Sequence, residues 1–133
     1  MRLIPVQDAA KAPETNFTGD VHLTPIKQAQ PPSRLVVALV RFTPGARTNW
    51  HSHANGQTLH VTEGVGLVVN RDGQVIRMRA GDTVWTPPGE EHWHGGTDST
   101  MLCHLAMVEG TGDGDGTTWL EAVTDEQYAD AQF

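Results

Sequence analysis

The chain has 133 residues, 38% of them hydrophobic, which is enough for one compact domain and too little for two of ordinary size. A formal charge of −7 at pH 7 argues against nucleic acid or an anionic membrane surface as a partner, because both reward clustered Lys and Arg. Residues 1–8 lack the apolar run of a signal peptide and no later stretch is long enough to span a bilayer, so a cytoplasmic location is expected.

In chain order, residues 1–33 read as short extended pieces, Leu3 to Val6 and Phe17 to Leu23, followed by a break at Gln28 to Ser33. His22 has no second ligand nearby and reads as a surface or strand histidine. Leu35 to Phe42 is the clearest strand, rich in β-branched residues and stopped by Pro44-Gly45. Arg41 belongs on its outer face, so Val36, Ala38, Val40 and Phe42 are expected to look inward. The small size of Ala38 and Val40 leaves room there for a small ligand. Thr58 to Thr62 continues extended, with His60 out of phase with Leu59 and Val61, and Glu63-Gly64 predicts a turn. Val65 to Val69 and Gln74 to Arg79 form a hairpin closed at Asp72-Gly73. A turn at Ala80-Gly81-Asp82 leads into Thr83 to Thr86, and Pro87-Pro88-Gly89 forces a sharp loop. Met101 to Val108 is a last strand with Leu102, His104, Ala106 and Val108 on one face; the single Cys103 reads as a buried, inert thiol. Gly110 to Gly116 reads as a flexible loop, whose acids lack the spacing and closing Glu of a calcium loop. Thr124 to Gln127 fits a capping box, so a short helix carrying Tyr128 is expected, with Trp119, Leu120 and Val123 pinning the tail to the body. Many short strands with almost no helix indicate an all-β double-sheet barrel whose mouth or lumen would take a ligand.

The stretch with the clearest chemistry is Asn49 to Gln57. In an extended segment His51 and His53 share a face, while Trp50 and Ser52 take the other. Gln57 follows across Asn55-Gly56, where a bend brings its carbonyl oxygen back beside the pair. Glu90-Glu91-His92-Trp93-His94 repeats the His-x-His spacing, and a neighbouring strand would bring His92 to the same point. Three neutral imidazoles and a neutral amide would leave a divalent cation its full charge, and mixed N/O donors suit Mn, Fe, Co, Ni or Zn. Six-coordination would leave two positions for water or substrate. His94 is expected beside this cluster as a general base or an orienting group, with a pKa near neutrality. His104 is the second candidate for proton transfer, although a histidine in an otherwise apolar strand is more often a hydrogen-bonded core residue than a catalyst.

Gly45, His51, His53, Gln57 and Gly64, then Gly81, Pro87, Gly89 and His92, resemble the two motifs of the cupin superfamily. Gln57 stands where Glu is commoner, and Gly96 where Asn is usual. Through Phe42 to His51, Gly56 to Leu59, Pro88 to Gly95, His104 to Ala106 and Val123 to Tyr128, the chain further resembles small bacterial manganese-dependent, (R)-selective hydroxynitrile lyases. The resemblance implies a single-domain cupin over 1–133, a jelly-roll barrel with a short C-terminal helix, N-terminal strands in 1–33, a barrel core over about 34–109 and a tail over 110–133. It implies metal ligands at His51, His53, Gln57 and His92, and one divalent ion per subunit, Mn expected. It places a pocket wall at Ala38, Val40 and Val108, the last standing where at least one such enzyme has Gln. It also implies a homo-oligomer, dimer or tetramer, with a leading strand joining a neighbour's sheet, and Lewis-acid cleavage of a small cyanohydrin with His94 or His104 moving the proton. A cupin dioxygenase and a non-enzymatic small-molecule sensor are the rival readings.

Overall fold

The computed structural model describes all residues, 1–133. Twelve strands and one helix follow in order: β1 (Ala10–Lys11), β2 (Phe17–Thr18), β3 (Val21–Lys27), β4 (Leu35–Phe42), β5 (Arg47–Thr48), β6 (His51–His53), β7 (Gln57–Asn70), β8 (Val75–Arg79), β9 (Thr83–Thr86), β10 (His92–Gly96), β11 (Leu102–Glu109), β12 (Thr117–Trp119) and α1 (Asp125–Asp130). One wall of the barrel runs β1-β3-β4-β11-β7-β9, and the other joins β8, the far half of β7, β10, β5 and β6, with β2 and β12 at its margins. Every pairing is antiparallel, so side chains alternate between the lumen and the outside.

β7 is the hinge between the walls. A turn is predicted at Glu63-Gly64, but the strand instead bends there and carries on into the second wall. Gly64 takes φ +80°, and a Cβ on it would lie 2.0 Å from the carbonyl oxygen of Met101, so only glycine allows the kink. The ladder with β11 slips by one residue beside the bend, at Thr62, and resumes past it, where the Val65 amide donates to that same Met101 carbonyl at 3.0 Å.

Between the walls lies a core that includes Val21, Phe42, Leu59, Val61, Met78 and Leu102. A second core lies on the outer side of the second wall, where Trp50, Leu67 and Trp93 are covered by Val123, Tyr128 and Ala131. This explains the alternation in His92-Trp93-His94: the tryptophan is wanted outside under the tail, which sends both histidines inward. The capping box forms as expected, Gln127 N donating to Thr124 Oγ1 at 3.0 Å and Thr124 N to Gln127 Oε1 at 2.9 Å. Tyr128 Oη donates to the Gly96 carbonyl at 2.6 Å, and the Arg47 guanidinium lies 4.5 Å from the Tyr128 ring centre, so the helix is locked onto the strand that carries His92 and His94.

Three further expectations change. Leu3 to Val6 forms no strand, and Leu3 and Val6 are exposed, because no neighbouring edge offers them hydrogen bonds. Phe17 to Leu23 divides at Gly19-Asp20 into β2 and β3, which serve opposite walls. After the glycine-rich segment, closed on itself by a Thr111–Gly114 bridge, the chain forms the unforeseen β12 rather than running straight to the tail.

Candidate metal site and its cavity

β6 and β10 pair antiparallel with His92 opposite His51, so strand register alone brings the third imidazole to the first two. The candidate ligand nitrogens of His51, His53 and His92 all lie within 4.8 Å of one another, with ring centres 4.3 to 5.4 Å apart. Second partners fix how the rings face. His51 Nδ1 donates to the Asn49 carbonyl and His92 Nδ1 to the Glu90 carbonyl, each at 2.9 Å, while His53 Nδ1 pairs with Thr117 Oγ1 at 3.0 Å. Each Nε2 lone pair is thereby left for the shared space.

Gln57 reaches the three histidines across a bend at Asn55-Gly56. Gly56 takes φ +81°, and a Cβ there would sit 2.7 Å from the Thr86 carbonyl oxygen. Past this bend Gln57 Oε1 lies 3.2 Å from His92 Nε2, so with His92 Nδ1 donating to a carbonyl, two lone pairs face each other. His53 Nε2 is buried with no partner. An amide turned the other way would donate to one imidazole; a cation serves three imidazoles and the carbonyl oxygen together. Burial, with the neighbouring His92 second, holds His51 well below the ordinary histidine pKa. Burial and then His92 lower His53 to about 4, partly opposed by the Asp115 carboxylate. The imidazoles are therefore neutral at pH 7, the form that binds metal. The residues present fit a divalent cation.

His94 and His104 form a second pair. His104 Nε2 lies 3.1 Å from His94 Nδ1, both rings are buried, and His94 Nε2 and His104 Nδ1 have no partner. A pKa near neutrality was expected for His94, and this is corrected: burial, followed by the charge of His104, pushes it well below the ordinary value, and burial lowers His104 to about 4. The pair holds one proton between its facing nitrogens. In one tautomer His94 Nε2 is an acceptor toward the cavity, and in the other a donor.

A cavity of about 300 Å³ opens beside these groups. Ala38, Val40 and Val108 line it, joined by Val36 and Ala106 from the same sheet face. His51, His53 and His94 line it from the second wall and Gln57 from the first, next to Val108, whereas His92 and His104 stand behind them. His60 faces away toward Thr83, at 2.9 Å, and His22 is exposed on β3. Among the lining residues that sequence reasoning missed are Asp115, Thr117 and Trp119. Trp119 was assigned to pinning the tail, yet its ring lies 4.8 Å from His51 and 5.4 Å from Phe17. The available signal was the β-prone Thr117-Thr118-Trp119 directly after the glycine-rich turn.

Comparison with known proteins agrees with this geometry. Residues 38–109 match the cupin domain model. The chain is 48% identical over 122 residues, 92% of each chain, to an (R)-mandelonitrile lyase of Granulicella tundricola. Among solved structures it resembles a cupin-like protein of Thermotoga maritima, with TM-score 0.86 and 32% identity over 99% of this chain and 98% of that one. The fold is also that of a polyketide cyclase of Streptomyces resistomycificus, with TM-score 0.69 and 19% identity over 96% and 90% of the two chains. With its three-histidine cluster at the inner wall of this barrel, the chain belongs to the cupin superfamily and resembles the bacterial hydroxynitrile lyases.

Proposed function

We propose that the protein is a divalent-metal-dependent lyase that cleaves or forms small cyanohydrins of the mandelonitrile kind, with one ion, Mn expected, held per subunit by His51, His53, Gln57 and His92. The observation that carries this reading is the convergence of these donors at one end of a cavity that is otherwise lined largely by apolar side chains. The 48% identity to a mandelonitrile lyase over nearly the whole chain supports it. An aryl or alkyl group fits against Ala38, Val40, Ala106 and Val108 while the polar end faces the histidines. Val108 gives no hydrogen bond, so polar recognition falls to the histidine side.

A cation bound to these four donors supplies Lewis acidity that lowers a hydroxyl pKa toward the range of a weak base. His94, neutral because it is buried, takes the hydroxyl proton at Nε2 while its Nδ1–H donates to His104 Nε2. The carbonyl double bond forms as the carbon–cyanide bond breaks, and the bond pair leaves with cyanide. Cyanide takes the proton back from His94 Nε2, and hydrogen cyanide and the aldehyde depart as neutral molecules. His104 shares the transient charge on His94 and restores its tautomer. Apolar walls keep water from competing for that proton.

The test is cleavage of mandelonitrile under argon by protein reloaded with Mn, Fe or Zn. Benzaldehyde and cyanide should appear without oxygen. If turnover needs oxygen and oxygen is consumed, the dioxygenase reading replaces this one; if metal binds and no substrate turns over, a sensing role replaces both.

We also propose that two copies associate through the outer face of the first wall. On it Leu39 stands opposite Leu105 and Val37 opposite Met107, beside Leu35 and an exposed Trp85. The one helix of the chain packs on the other wall and leaves this face bare. Five strands at ~4.8 Å spacing over three or four rows give roughly 500 Å² per copy. Doubled by a like face, that reaches the ~1,000 Å² a specific interface needs.

A further inference from the structure

The charge balance of the cavity is unusual for a site that faces a dication with neutral ligands only. No Lys or Arg lines it, and the one formally charged lining residue is Asp115. A dication keeping both charges attracts any small anion, and cyanide, azide and carboxylates would compete with a neutral substrate for its open positions.

We propose that Asp115 is a specificity residue that guards the site against anions: its carboxylate offsets part of the cation's charge through space without binding the metal. The placement is built rather than incidental. Asp115 Oδ1 accepts from the Thr117 amide at 2.9 Å, and the Thr117 hydroxyl is the partner of His53 Nδ1, so the carboxylate is tied to the strand that orients a ligand. The neighbouring backbone is held as well, with Ala54 N donating to the Gly116 carbonyl at 2.9 Å. No ion pair neutralises Asp115; those of the structure belong to Lys11, Arg47 and Arg71. A full charge at this position favours substrates and products that enter and leave neutral, such as an aldehyde, a cyanohydrin and hydrogen cyanide, over their anionic relatives. A ligating carboxylate would reduce the Lewis acidity directly; a carboxylate at the mouth acts mainly on what approaches.

The inference rests on the metal-binding reading above, and cobalt(II) as the metal with azide as the anion separates the two. Asp115→Asn keeps the side-chain acceptor for the Thr117 amide and removes the charge; Asp115→Ser is the second variant, keeping a shorter acceptor. Cobalt affinity is measured by equilibrium dialysis, and azide binding to the cobalt-loaded protein from the visible absorption bands. In both variants cobalt should bind about two- to fivefold more weakly and azide about three- to tenfold more tightly, and both changes should shrink in about 0.5 M salt. The affinity for benzyl alcohol, a neutral probe, should change less than about twofold under the same weak-coupling arithmetic. Loss of cobalt and azide affinity together marks structural damage rather than a lost charge and overturns the inference, as does an unchanged azide affinity. Failure of the unsubstituted protein to bind cobalt overturns the metal site itself.

Discussion

Replacing Gln57 by Glu tests whether four neutral donors set the reactivity of the site. The change is nearly isosteric and puts one negative charge on an atom that now lies 3.2 Å from His92 Nε2. At an effective dielectric of ~20, a unit charge at that separation interacts with another by ~5 kcal/mol. Burying the new carboxylate among neutral imidazoles takes back several kcal/mol of this. A residual gain of ~1–3 kcal/mol corresponds to roughly 10–100-fold tighter metal binding. Half of the dication's charge is then cancelled by its ligand, so hydroxyl acidification falls, and turnover of mandelonitrile should drop about tenfold or more. Equilibrium dialysis against buffered Mn gives the affinity, and benzaldehyde release from the fully loaded variant gives the rate. The two should move in opposite directions. An unchanged metal affinity would show that Gln57 does not face the cation, and tighter binding with equal or faster turnover would refute the link between ligand charge and catalysis.

Replacing His94 or His104 separately with Ala should lower turnover about 10²-fold or more while leaving metal content intact, and equal rates in both variants and the unsubstituted protein would remove the histidine pair from the chemistry. Acid should destabilise the metal-free protein through His104: its folded pKa is about 4, below its unfolded value, so the stability it provides is complete above about pH 6.5 and is lost as pH falls toward 4. Across that window urea unfolding should show ~3 kcal/mol more loss in the unsubstituted protein than in His104→Leu, and parallel curves would contradict it. Leu105→Glu with Met107→Glu should yield monomers in sedimentation velocity, because two like charges would face their symmetry copies without counter-ions; an unchanged species would place the interface elsewhere. Gly64→Val should cost ~3 kcal/mol or more in thermal unfolding, since a β-branched residue at φ +80° is strained and its Cβ would strike the Met101 carbonyl.

What was legible in the sequence was whatever depends on period and spacing. Alternation in His51-Ser52-His53 and His92-Trp93-His94 places both pairs, and the even face of Leu35 to Phe42 places Ala38 and Val40, because a strand has only two faces. The four-donor cluster needed one more fact, that β6 and β10 are neighbours, and the motif resemblance provided it. Gly64 was misread because glycine at positive φ serves a reversal and a kink equally well; the difference lies in Met101, far along the chain, which receives the next hydrogen bond. Trp119 and Thr117 were misplaced for a similar reason. A three-residue strand has too few residues for a period, and its meaning comes from pairing with the ligand strand.

The pKa of His94 is instructive in another way. Its identity and face were readable, but its basicity belongs to its surroundings: an unsolvated imidazole next to another imidazole prefers to stay neutral. A neutral, weak base at pH 7 is in its working form, yet it can deprotonate only an acidified hydroxyl. In the proposed reaction the base and the metal ligands are therefore useful together and weak apart. β10 carries a candidate for each, His94 and His92, on the same face two residues apart. Their spacing is then fixed by the strand repeat rather than by a mobile loop, and the tail that covers Trp93 from outside holds both in place. Loosening the tail should therefore impair metal binding and proton transfer together, although Val123, Tyr128 and Ala131 do not line the cavity.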